Sequence, residues 1–161
     1  MVTLTQQKLR WLVARYVPAA YQPHPTGPVR FIESASETDL VRLANALIRS
    51  TFQPGDLGGL CIDINELLGQ SPACPRFHIY LNGRFRSRRE AIFALLHEVG
   101  HVDWHVAPER RKGFQEDEGE LYADWFAFDQ LANTMGITAA LDIASTFPSR
   151  HGLGRELAKA S

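Results

Sequence analysis

Residues 97–101 read His-Glu-Val-Gly-His inside an apolar stretch made by Ala91, Ile92, Ala94, Leu95, Leu96, Val99 and Val102. This segment restricts the fold more than any other. On an α-helix, residues four apart lie about 40° apart around the axis and about 6 Å apart along it. Both imidazoles then point to one side. Two histidines and a glutamate on a buried helix need partners, because unpaired buried charge is costly. A metal ion shared by His97 and His101 supplies one. Glu98 faces the same cavity at another angle, where it is placed to act on water and not to ligate.

A third protein ligand is required. His105 continues the four-residue series, but on a straight helix it stands about 12 Å from His97 along the axis, while metal–nitrogen bonds measure about 2 Å. The longer HExxHxxGxxH pattern is absent, since positions 104 and 107 hold Trp104 and Ala107. Segment 116–127 offers better acids. Glu120 and Asp124 share a helix face, with Ala123 and Ala127 beside them to allow close approach. Glu120 is read as the ligand, with Glu116, Asp117 and Glu118 as alternatives. Asp124 is read as the partner of a ligand histidine's far nitrogen, fixing its tautomer.

The rest of the chain supplies the frame. Leu4, Leu9, Leu12, Val13 and Tyr16 predict a helix over 4–17, stopped by Pro18. Residues 18–28 form a Pro- and Gly-rich loop. A short strand is expected at Val29–Ile32 and a helix over 37–51, capped by Ser36. Residues 53–59 are a turn-rich link. Alternation predicts strands at 60–64 and 76–81, then a turn at Asn82-Gly83. Helices are expected over 87–106, capped by Ser87, and over 116–134, ended by Gly136. The tail 137–161 reads as helical pieces broken near Pro148 and Gly152–Gly154. Helices, a small sheet and helices again predict an α+β fold, in a single domain over residues 1–161.

Of the 161 residues, 45% are hydrophobic and 22% charged, with a net charge of −1. That composition fills a core and does not advertise a polyanionic partner. Cys61 and Cys74 are too few for a disulfide framework and are expected as reduced thiols. No signal peptide or membrane span is legible, so a cytoplasmic protein with no membrane partner is expected.

The strand-turn-helix RFHIYLNGRFRSRREAIFALLHEVGH and the helix EGELYADWFAFDQL together resemble the ImmA/IrrE family of zincin-like metallopeptidases. Glu120, Ala123, Phe126 and Ala127 meet that family's ExxAxxFA pattern. The Glu120–Asp124 spacing is also similar to the ExxxD of thermolysin-like enzymes. The likeness covers about residues 60–135. It implies a zincin-like fold, a gluzincin-like site with Zn²⁺ on His97, His101 and Glu120, and cytoplasmic proteolysis of a transcriptional repressor of a mobile element or stress response. Members often carry a helix-turn-helix before the peptidase, whereas residues 37–51 here read as a support helix.

The expected chemistry is hydrolysis of a protein or peptide. Zinc acidifies its water and Glu98 acts as general base. Tyr122, His105, Tyr80 and His78 are the candidate oxyanion donors. The strand 76–81 is expected to border the cleft and pair with an extended substrate. Ligand type favours zinc, with Mn²⁺ and Fe²⁺ as alternatives. Two rival functions are carried forward. One is a catalytically idle zinc module that binds a regulatory protein, which the intact Glu98 disfavours. The other is a DNA-binding regulator using Arg84, Arg86, Arg88 and Arg89 or Arg110, Arg111 and Lys112, which the near-neutral charge disfavours.

Overall fold

The longest helix, α4 (Arg88–Val106), is the axis on which the remaining elements are assembled. The Ser87 hydroxyl caps it by accepting from the Glu90 N–H at 3.2 Å, and the Glu90 carboxylate reaches back to the Arg86 N–H at 2.7 Å. The Ser87 cap satisfies one donor that the first helical turn leaves orphaned, and the Glu90 carboxylate ties down the chain just before the cap. Buried side chains occupy most of its circumference: Ile92, Leu95, Leu96, Val99 and Val102 are all at most 3% exposed. The computed structural model describes residues 1–48, 52–53, 57–69 and 76–146.

Before α4 come β1 (Val2–Thr3), α1 (Gln6–Tyr16), β2 (Val29–Ala35), α2 (Glu37–Ile48), β3 (Gly59–Asp63), the single turn α3 (Ile64–Leu67), β4 (Phe77–Asn82) and β5 (Arg84–Phe85). After it come α5 (Gly119–Met135) and α6 (Ile137–Thr146). The described residues therefore form an α+β fold of six helices and small sheets, as the element order predicts. None of these helices is long and apolar enough to cross a membrane.

The principal sheet has the order β2-β4-β3, with β4 parallel to β2 and antiparallel to β3. This corrects the expectation that residues 76–81 pair with an extended substrate. β4 is paired on both sides, and β3 is an edge. The opposite edge, β2, is partly covered by one side chain. Gln6 donates to the Ile32 carbonyl at 3.2 Å and accepts from the Ser34 N–H at 3.1 Å, as a neighbouring strand would.

Phe77, Ile79 and Leu81 of β4 point into the main core with α1, α4 and α5. Tyr80 alternates to the other face, where it packs beneath Leu40 and Ala44 of α2.

Several boundaries differ from the expectations. β2 runs on to Ala35. β3 stops at Asp63, whose carboxylate accepts from the N–H groups of Asn65 and Glu66 and so turns the chain into α3. Helix α2 is seen to Ile48; residues 49–51 and the tail beyond 146, with its Pro148 and Gly152–Gly154 breaks, lie outside the described residues, as does Cys74. Helix α5 begins at Gly119 and not at 116, because the Glu118 carboxylate turns back to the Gln115 N–H at 2.9 Å. Gly136 ends α5 with φ of 91°, a left-handed conformation that glycine adopts without strain. The pairing of β1 with β5 is non-local, and the two-residue strands carry no alternation to announce it.

Candidate metal centre

Helix α4 presents His97 and His101 on one side, with their rings 4.9 Å apart between centroids. Helix α5 lies against that side. The two helices are close at Gly100, where an added Cβ would meet the Ala123 Cα at 2.8 Å and the Phe126 Cβ at 3.1 Å. The missing side chain lets α5 carry Glu120 over the two imidazoles. One carboxylate oxygen lies 3.0 Å from His97 Nε2 and the other 3.2 Å from His101 Nε2. One further turn along α5, Asp124 accepts from His97 Nδ1 at 2.7 Å.

The donor set fits a small divalent cation. One donor atom each from His97, His101 and Glu120 falls within a span of 4.8 Å. Four donors held tetrahedrally at about 2.1 Å from an ion stand about 3.4 Å from one another. Asp124 is only 6% exposed. By holding Nδ1 it leaves His97 Nε2 to face the cluster, the arrangement that orients metal-binding histidines. The Glu120 side chain is 52% exposed, so solvent reaches the centre from that side.

Electrostatics reflect this packing. Burial pushes the His97 pKa down, but the hydrogen bonds to Asp124 and Glu120 outweigh it and raise the value to about 10. Burial would raise the Glu120 carboxyl, yet bonding to His101 and His97 holds it far below the ordinary range. Glu98 is raised, chiefly because it is buried, with His97 and His101 pulling the other way. It is 7% exposed and lies beneath the edge strand: a Cβ on Gly59 would stand 2.7 Å from Glu98 Cγ and 2.9 Å from its Oε1. Cys61, two residues along β3, is a half-buried free thiol whose pKa is raised by burial and then by Glu98.

The structure thus brings His97, Glu98, His101, Glu120 and Asp124 to one place. Glu116, Asp117 and Glu118 precede α5. Tyr122 is not available as an oxyanion donor: it is fully buried and its hydroxyl donates to Asp103. Tyr80 is on the sheet face packed by α2. His78 shares that face, and its ring lies 3.9 Å from that of Phe31. His105 is exposed one turn beyond His101, its ring stacked on Phe77 at 5.6 Å.

Three positions that shape the site escaped sequence reasoning. Gly59 and Gly100 matter for atoms they lack, which a lone glycine does not advertise. Asp103 is fully buried and accepts hydroxyl protons from Tyr21 and Tyr122, with Arg110 Nη1 at 3.4 Å. Its signal was present, because position 103 continues the buried stripe of Leu96 and Val99 at helical spacing. No protein-family model, no curated protein and no solved structure matches this chain.

Proposed function

We propose that this protein is a zinc-dependent endopeptidase of the zincin type, cytoplasmic and similar to the ImmA/IrrE family. Its proposed substrate is a regulatory protein such as a transcriptional repressor. The observation that carries this reading is the convergence of two imidazoles and one carboxylate beside a separate buried glutamate. His97, His101 and Glu120 would hold the metal, and a cation there would supply a Lewis acid that acidifies water and polarises the scissile carbonyl. A purely structural zinc site has four protein ligands and no use for an adjoining base. Here the cluster offers three donors among the described residues.

Glu98 supplies the proton transfers. Its raised pKa suits a group that takes a proton from water and returns it to the leaving amine. Asp124 keeps His97 oriented throughout. Of the four oxyanion candidates, His105 remains, exposed one helical turn beyond His101. The outer edge of β3 has no strand partner among the described residues. An extended substrate pairing there would run beside Glu98, with its backbone read by main-chain hydrogen bonds.

The purified protein should take up about one equivalent of zinc by elemental analysis, and His101→Ala should abolish it. Where a neighbouring gene encodes a repressor, co-expression with it should yield cleavage products with wild type and none with Glu98→Gln, although both hold zinc. Repressor left intact by zinc-loaded wild type would instead favour an idle binding module.

A further inference from the structure

The chain is nearly neutral, yet its charge is unevenly distributed. No Asp or Glu precedes Glu33, and none lies between Glu66 and Glu90. The fold brings these two acid-free segments together. β1 pairs with β5, setting Thr3 opposite Arg84. Lys8 reaches back to the Thr3 carbonyl at 3.3 Å. On the same face of α1 stand Trp11 and Arg15, three and seven residues on.

Trp11 is the centre of this corner. It is 50% exposed, unusual for the largest side chain. The Arg88 guanidinium lies 4.4 Å from its ring centroid and that of Arg15 lies 5.6 Å away. Arg15 also sits 5.7 Å from the Tyr16 ring. Arg15, Arg84 and Arg88 have no ion-pair partner among the described residues, whereas nearby Arg89 is paired with Asp142. The nearest acid in sequence, Glu90, is engaged by the Arg86 N–H. Guanidiniums gathered around one ring lie well within a Debye length and repel one another, because that length is about 8 Å in physiological salt. The aromatic ring holds them in place without neutralising them. Such a set is organised to accept carboxylates, which guanidinium forks bind in bidentate fashion.

We propose that this α1–β5–α4 corner is a docking surface for an acidic segment of a protein partner, whose carboxylates bridge Arg15 and Arg88 around Trp11. Single-stranded nucleic acid fits less well. Its bases bind by stacking on open aromatic faces, and here a guanidinium already covers the Trp11 ring. The surface is separate from the metal centre: Arg88 precedes His97 by nine residues, about 13 Å along the helix. It therefore stands whether or not the protein is a hydrolase.

The test uses full-length protein and a fluorescein-labelled peptide of alternating Glu and Ser, about ten residues long, read by anisotropy in low salt. Wild type should bind it saturably, and added salt should weaken the complex. Arg15→Glu combined with Arg88→Glu should weaken binding at least about tenfold, and Trp11→Ala severalfold. Lys112→Glu, beyond the other end of α4, should leave it unchanged. If the double variant fails to give a wild-type circular dichroism spectrum, Arg88→Gln alone should still weaken binding. Absence of saturable binding, or equal binding by these variants, overturns the proposal. So does tighter binding of an oligothymidylate of matched charge that is lost in the same variants.

Discussion

Gly100 meets Ala123 so closely that a single methyl group on residue 100 would stand 2.8 Å from the Ala123 Cα and 3.0 Å from its carbonyl oxygen. The contact lies between the two histidines' helix and the helix that bears Glu120, so it sets how far the carboxylate stands from the rings. In an isolated helix, Gly→Ala is favourable by about 1 kcal/mol. Here the overpacking should reverse the sign and cost about 1–3 kcal/mol. Gly100→Ala should lower the urea midpoint and also weaken zinc uptake, because α5 must shift away. A variant more stable than wild type with full zinc affinity would show that the crossing does not position Glu120.

Asp124 and Glu120 hold opposite nitrogens of the same imidazole, at 2.7 and 3.0 Å. Removing the anchoring carboxylate should free the His97 ring to rotate. Asp124→Ala is expected to reduce zinc affinity about 10–100-fold while leaving some binding, the usual cost of losing such a partner. His97→Ala should lose far more. Competition with a chromophoric chelator measures both, and equal losses in the two variants would make Asp124 a ligand and not an anchor.

The part of the site built on local periodicity was legible beforehand. His97 and His101 are four apart on one helix, Glu120 and Asp124 four apart on the next, and α-helical geometry alone turns each pair to a common side. What sequence does not encode locally is which strand lies at the edge. Residues 60–64 and 76–81 alternate alike, but β4 is sandwiched by β2 while β3 is left free. That choice depends on pairing between distant segments. Tyr122 drops out of the four oxyanion candidates for a similar reason. Its hydroxyl meets Asp103 on the buried side of α4, a long-range contact that local spacing does not announce.

Glu98 is confined by the backbone of β3 at Gly59, where an added Cβ would also lie 3.0 Å from the Tyr80 carbonyl oxygen. Gly59→Ala must therefore move the glutamate or lift the strand. Zinc content should survive, since none of the three candidate ligands is touched. If the proposed hydrolase reading holds, activity should fall about a hundredfold, the scale on which small misplacements of catalytic groups act. Assay of zinc-loaded protein against the proposed repressor substrate separates the two effects. A variant that loses zinc in parallel with activity would place Gly59 in support of the metal and not of Glu98.

Tyr21 ties the segment after α1 to the buried side of α4 by donating to Asp103, and its pKa is raised first by burial and then by that carboxylate. The group keeps its proton in the folded chain at a pH where the unfolded chain releases it. Its contribution to stability is therefore complete below the ordinary tyrosine value of about 10 and declines as pH rises toward the folded value. Tyr21→Phe should cost about 1–3 kcal/mol at neutral pH, because Asp103 loses a donor while remaining buried. Above pH 10 the wild type should lose stability more steeply than the variant, so the two urea midpoints converge. Parallel pH profiles between 9 and 11 would mean that Tyr21 titrates alike in both states, and that its bond to Asp103 is too weak to hold the proton.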